Sequence, residues 1–151
     1  PRASVDSAEA MRVWKANAMP FDSNWTAMVE VSLPASPISG EQEQEIGLHI
    51  MNQADLGDQV DMNLERTATS RSFVAQIILD DSLDSDENST ATLSTHAGLR
   101  VRWDASSTTL YAEYDENASD TNATWQTLGS WNLTVGETNW NLDSNSSFVI
   151  K

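Results

Sequence analysis

Residues Gly98–Asn117 read GLRVRWDASSTTLYAEYDEN, and this stretch decides the fold class. Apolar and polar residues alternate on both sides of the polar segment Asp104–Ser107. Period-two alternation is the pattern of a β-strand with one buried face. The stretch therefore predicts a β-hairpin whose four-residue loop is Asp104–Ser107. We expect Val101 to lie opposite Leu110, which places Arg100 against Tyr111 in a cation–π and ion-pair cluster on the outer face.

The hairpin ends in three carboxylates, Glu113, Asp115 and Glu116. Glu113 and Asp115 project from one strand face, as do the paired carboxylates of glycoside hydrolases. A third carboxylate is missing further along, where Asn117 and Ala118 stand. We therefore expect no enzyme activity, and we interpret the three side chains as the solvated polar edge of a hairpin.

Other segments repeat the alternation, and turn residues separate them. They are WTAMVEVSL (25–33), EIGLHIMN (45–52), VDMNLERT (60–67), SFVAQIILD (72–80), WQTLGSW (125–131) and SFVIK (147–151). About ten short strands joined by polar loops predict an all-β fold, a two-sheet antiparallel β-sandwich of the jelly-roll type. We expect one domain over residues 1–151, with residues 1–10 as an extended N-terminal arm.

Charge and composition exclude several classes of partner. The formal net charge is −15, and such a surface repels phosphate backbones, so we expect no nucleic-acid partner. The sequence contains no apolar run of membrane-spanning length, so we expect no membrane insertion. Asn-X-Ser/Thr triplets predict an extracellular or cell-surface glycoprotein, although polar loops also generate such triplets by chance. The glycosylation candidates are Asn24, Asn88, Asn117, Asn122, Asn132 and Asn145.

Two polar segments have the spacing of calcium ligands. The segment DDSLDSDENST (80–90), predicted as a loop, places Asp84, Asp86 and Asn88 at alternate positions, and NLDSNSS repeats the spacing at Asn141, Asp143 and Asn145. Alternating carboxylates and amides supply the hard oxygen ligands that Ca²⁺ prefers. Neither segment is an EF-hand loop, and a solvated loop without metal is the alternative interpretation.

Six tryptophans are many for 151 residues. Aromatic rings beside polar hydrogen-bonding groups are typical of sugar-binding sites, where a ring stacks on an apolar sugar face. Trp25 and Trp103 lie in phase with aliphatic neighbours, so we assign both to the core. The candidates for a ligand platform stand among Asn, Thr and Gly in the last third of the chain, and they are Trp125, Trp131 and Trp140.

Three segments together resemble the concanavalin A-like lectin/glucanase superfamily, in particular the non-catalytic laminin-G-like domains of secreted bacterial proteins. They are MPFDSNWTAMVEVSLP (19–34), the hairpin with its following Trp and strand (98–133), and SFVIK (147–151). The resemblance covers about residues 11–151 and implies a jelly-roll sandwich. Relatives usually continue through a further closing strand, whose absence would expose a sheet edge or leave it to a neighbouring subunit.

The resemblance and the residues lead to one expected function and two alternatives. We expect a non-enzymatic extracellular module that binds carbohydrate or mediates adhesion, with glycans as partners and Ca²⁺ as a cofactor. The first alternative is a structural subunit of an extracellular filament or surface assembly, joined to neighbouring subunits by strand addition. The second alternative, a glucanase-like hydrolase, is disfavoured by the incomplete carboxylate set.

Overall fold

The structure is a computed structural model, and it describes residues 14–34, 43–79, 82–117 and 123–151. The described part contains ten strands and one short 3₁₀ turn, Gly136–Thr138. The strands are β1 Trp14–Pro20, β2 Trp25–Ser32, β3 Glu43–Asn52, β4 Gln59–Thr67, β5 Arg71–Leu79, β6 Ser82–Ala91, β7 His96–Asp104, β8 Thr109–Asp115, β9 Gln126–Asn132 and β10 Ser147–Ile150. The predicted N-terminal arm, residues 1–10, lies outside the described residues.

The strands form two antiparallel sheets that pack as a β-sandwich. One sheet has six strands in the order β1-β10-β3-β4-β5-β6, and the other has four in the order β2-β7-β8-β9. The predicted all-β, two-sheet antiparallel sandwich is therefore confirmed. The strand β10 pairs with β1 on one side and with β3 on the other, so the segment SFVIK lies inside the sheet and not at its edge.

Alternating apolar side chains from both sheets fill the space between them. Val60, Met62 and Leu64 on β4 are fully buried, as are Leu99 and Val101 on β7. Burying each such side chain contributes about 1.5–3 kcal/mol of transfer free energy. An aromatic cluster closes one end of this core, where Phe148 contacts the rings of Trp25, Trp103 and Trp140. The cluster ties β10 to the four-stranded sheet.

The hairpin Gly98–Asn117 forms as predicted, but the predicted register is wrong by two residues. Val101 lies opposite Ala112 and Trp103 opposite Leu110, so the loop is Ala105–Thr108. A slip of two residues keeps every side chain on its predicted face, because side chains alternate with period two. Alternation alone therefore could not distinguish the two registers.

The segment predicted as an acidic loop is a strand. Ser82–Ala91 forms β6 at the edge of the six-stranded sheet, with an irregular register near its start. An edge strand carries polar side chains on both faces without burying them, so its sequence lacks the apolar alternation of an inner strand.

Candidate functional site

Two of the three predicted tryptophan platforms lie in the core. Trp131 is 4% exposed and Trp140 is 2% exposed, so their rings are covered by protein. Gly129 provides the space for Trp131, because a Cβ atom at Gly129 would lie 2.4 Å from the indole ring. The prediction that these rings form a surface platform is therefore wrong for both. Trp125 is partly exposed, and the guanidinium of Arg100 lies 4.2 Å from its ring centroid.

The first predicted calcium site is not formed as a loop. Asp86 and Asn88 are exposed on the extended strand β6, and the side chain of Asp84 lies outside the described part. Asp84 and Asp86 lie where the register between β5 and β6 is irregular, whereas Asn88 is paired with Ala75. Because the side chain of Asp84 lies outside the described part, calcium binding at these three positions stays a prediction.

The residues of the second predicted calcium site lie in two places, because Asp143 and Asn145 share a hydrogen-bonded turn and Asn141 lines a cleft. The carboxylate of Asp143 accepts hydrogen bonds from the backbone N–H of Asn145 and from Ser146, and these hold the pKa of Asp143 below its usual range. Asn141 instead adopts a left-handed backbone conformation, with φ of 53°, and lines a separate cleft. Within the described ranges, no group of three or more His, Cys, Asp or Glu side chains is arranged to hold a metal ion.

The cleft that Asn141 lines has a volume of about 280 Å³ and lies at one end of the sandwich. We call it the end cleft. Two chain segments form it, the turn between β3 and β4 and the segment that precedes β10, and Leu79 at the end of β5 completes the wall. Its lining residues are Asn52, Ala54, Asp55, Asp58, Leu79, Asn139, Trp140, Asn141 and Ser146.

Asn52 holds the two walls of the end cleft together, and it is 4% exposed. Its amide nitrogen donates hydrogen bonds to the carboxylate of Asp58 (3.3 Å) and to the backbone oxygen of Trp140 (3.4 Å). Its amide oxygen accepts the backbone N–H of Ala54 at 3.0 Å. Two of these contacts shape the turn between β3 and β4, and the third, to Trp140, links that turn to the opposite wall.

The functional groups of the end cleft are amides, carboxylates and one indole. Asp55 is exposed and accepts the backbone N–H of Gly57 at 3.1 Å, which leaves lone pairs of its carboxylate free to accept further hydrogen bonds. The indole N–H of Trp140 has no hydrogen-bond partner among the described residues, although it is buried. Trp25 Nε1 and Asn63 Oδ1, which lie outside the end cleft, have the same status, so the lack of a partner does not by itself mark a ligand site.

The hairpin carboxylates are not a solvated edge, so this interpretation is wrong for two of the three. Glu113 is 5% exposed and accepts hydrogen bonds from Arg100 Nε (2.6 Å) and Arg102 Nη2 (3.5 Å). Asp115 is 1% exposed and accepts the backbone N–H groups of Asn117 and Thr124, both at 2.9 Å. Only Glu116 is exposed. A cation–π and ion-pair cluster forms on the outer face, but the predicted contact of Arg100 with Tyr111 is wrong, because the shifted register places Arg102 against Tyr111 and Arg100 against Glu113 and Trp125.

The outer face of the six-stranded sheet carries a polar group that the sequence analysis missed. Asp61 lies 2.9 Å from His49 Nδ1 and accepts a hydrogen bond from Gln76. Further along β4, Glu65 lies opposite Glu45. Burial, and then the charges of neighbouring carboxylates, raise the pKa of Glu65 from 4.5 to about 7. In the sequence, polar Asp61, Asn63 and Glu65 alternate with apolar residues on β4. This pattern indicates an outer face, but it does not show how many carboxylates of neighbouring strands gather there.

The glycosylation candidates differ in accessibility. Asn24, Asn88, Asn117 and Asn145 are exposed, whereas Asn122 lies outside the described residues. Asn132 is partly buried, and its amide nitrogen donates to the backbone oxygen of Ser107 at 2.9 Å. Because N-glycosylation would use that nitrogen, Asn132 is the least suited of the described candidates.

Within the part of the chain that the structure covers, no helix has the length and apolar character needed to span a membrane. In comparisons with known proteins, no protein-family model, no curated protein and no solved structure matches this chain. The resemblance to the concanavalin A-like superfamily therefore stays a prediction, and the case for function depends on the residues themselves.

Proposed function

We propose that the protein is a non-enzymatic extracellular module that binds carbohydrate, and that the sugar occupies the end cleft. The observation that carries the proposal is the end cleft itself, whose exposed groups are the carboxylate of Asp55 and the amides of Asn139 and Asn141, beside the indole of Trp140 in its wall. Sugar hydroxyls both donate and accept hydrogen bonds, so they match this mixture of donors and acceptors.

The size and rigidity of the end cleft support the same ligand. Its volume of about 280 Å³ lies at the lower limit of small-molecule sites, which range over about 300–1,000 Å³, and suits one sugar ring. The hydrogen bond from Asn52 to the backbone oxygen of Trp140 links the two walls in the absence of a ligand, which reduces the conformational entropy lost on binding.

The hydrolase alternative receives less support. The carboxylate of Glu113 faces two arginines, and that of Asp115 accepts two backbone N–H groups, so neither is free to act as nucleophile or acid.

A glycan array, run with calcium and again with EDTA, would find the ligand. Calorimetry with the best glycan would then compare the wild type with Asp55→Asn. We expect Asp55→Asn to weaken binding about tenfold, because a hydrogen bond to a charged acceptor becomes a neutral one. Asp104→Asn is the matched control, since Asp104 also accepts the backbone N–H of the residue two positions on but lies at the hairpin loop. Equal affinity in all three proteins, or no glycan bound, would contradict the proposal.

The second candidate function is a subunit of a surface assembly, joined by strand addition. Strand β2 lies at the edge of the four-stranded sheet, and Met28 on its outer face is 64% exposed. An exposed edge strand offers backbone groups to a strand of a neighbouring copy of this chain. Sedimentation velocity over a range of concentrations tests this function, and we expect Met28→Lys to weaken any self-association. A monomer at every concentration would refute it.

A further inference from the structure

Two arginines lie side by side on the outer face of the four-stranded sheet, in a chain with 8 basic and 23 acidic residues. Arg100 and Arg102 are two residues apart on β7, so both side chains project from the same face. Together with Tyr111, Glu113 and Trp125 they form a surface that we call the arginine platform. Trp125 precedes β9, and the other four residues lie on the paired strands β7 and β8.

The guanidinium groups of the platform are held in place. Arg100 lies 4.2 Å from the ring centroid of Trp125, and Arg102 lies 4.1 Å from that of Tyr111. Glu113, buried between them, accepts one hydrogen bond from each arginine and a third from Thr127 at 3.5 Å. Because each guanidinium is fixed by a ring and a carboxylate, a ligand that binds them needs to order little of the protein.

Most of the donors on the platform face no protein acceptor among the described residues. Each guanidinium carries five N–H groups in a planar fork, and one N–H of each is bonded to Glu113. The side chains of Arg100 and Arg102 are 21% and 37% exposed, so a ligand in solvent reaches the remaining donors. The platform residues carry two positive charges and one negative charge, and Glu30 lies on the same face of the neighbouring strand β2.

From this geometry we infer that the arginine platform is a second binding site, distinct from the end cleft, and that it takes the carboxylate of an acidic sugar such as a hexuronate. A carboxylate is planar and matches the guanidinium fork with two parallel hydrogen bonds. The formal net charge of −15 repels extended polyanions, so a single carboxylate on a small ring fits better than a phosphate chain. Beside the donors, Tyr111 and Trp125 supply apolar ring edges for the sugar body.

The test is a ¹H–¹⁵N NMR titration of the full chain with D-glucuronate, and in parallel with D-glucose as the neutral probe of the same ring. We expect saturable shifts at the platform with glucuronate and none there with glucose. Arg102→Gln should weaken glucuronate binding about tenfold, because a charge-assisted bidentate contact is lost. The matched control is Arg71→Gln, an arginine on β5 of the other sheet, and it should leave the affinity unchanged.

The outcomes separate this inference from the proposed function. Asp55→Asn alters the end cleft alone, so it should leave glucuronate binding at the platform unchanged. Absence of saturable shifts with glucuronate would overturn the inference, as would equal binding of glucose at the platform or an unchanged affinity in a folded Arg102→Gln. Each of these results leaves the end cleft to be judged by its own ligand and variants.

Discussion

The carboxyl group of Glu65 is expected to make the free energy of unfolding depend on pH. Glu65 lies on the outer face of β4, opposite Glu45. Burial raises its pKa most, and the charges of Glu45, Glu43, Glu87 and Asp61 raise it further, from 4.5 to about 7. Ionising this group therefore takes more free energy in the folded chain than in the unfolded chain.

Because the pKa of Glu65 is higher in the folded chain, the free energy of unfolding falls as pH rises. Below pH 4.5 the carboxyl is protonated in both states, and its contribution to stability is fully present. As pH rises towards the folded pKa of about 7 and beyond, the unfolded chain ionises first, and stability is lost. The full shift corresponds to about 3 kcal/mol. Because the side chain is only partly buried, solvent screening reduces the expected loss to about 1–2 kcal/mol.

Urea unfolding followed by tryptophan fluorescence at pH 5 and pH 8 measures this loss. Glu65→Gln should remove about 1–2 kcal/mol of the difference in unfolding free energy between the two pH values. Glu137→Gln is the control, because Glu137 is exposed in the 3₁₀ turn and the substitution changes the net charge equally. If all three proteins lose the same stability between pH 5 and pH 8, the assigned role of Glu65 is refuted.

Two further substitutions test the packing of the four-stranded sheet. Gly129→Ala should lower the free energy of unfolding, measured in urea, by about 1–3 kcal/mol, because the new Cβ would lie 2.4 Å from the Trp131 ring and displace it. An unchanged urea midpoint would contradict the close contact between this glycine and the indole. Glu113→Gln should lower the free energy of unfolding by about 1–3 kcal/mol, because Arg100 and Arg102 lose a buried ion-pair partner. The control Glu30→Gln, at an exposed position, should change it little. Equal effects of the two substitutions would show that the ion pairs contribute nothing to stability.

The sequence predicted the fold class because buried strands have a strong and simple signal. On β4 and β7 the apolar residues repeat at every second position, and this period requires one buried face. The strand β6 was missed because its residues at the sheet edge need no apolar face. The hairpin register was missed because pairings that differ by two residues bury the same side chains.

The candidate site was predicted only in part. Trp140 and Asn141 stood among the predicted residues, but their partners Asn52 and Asp58 lie some 80 to 90 positions away in sequence. Only the pairing of β10 with β3 brings the two segments together, and local patterns carry no information about that contact. Burial of Trp131 and Trp140 likewise depends on tertiary packing. Their polar sequence neighbours therefore led to the wrong prediction that these rings are exposed.

A ¹H–¹⁵N NMR titration of the protein with the glycan that binds best on the array shows whether a sugar occupies the end cleft. If the sugar occupies the end cleft, the saturable shifts will cluster on the backbone amides of Asn52, Asp58 and Asn141 and on the indole N–H of Trp140. Saturable shifts elsewhere with an undisturbed Trp140 indole, or no shifts at all, would contradict the assignment of the end cleft as a carbohydrate site.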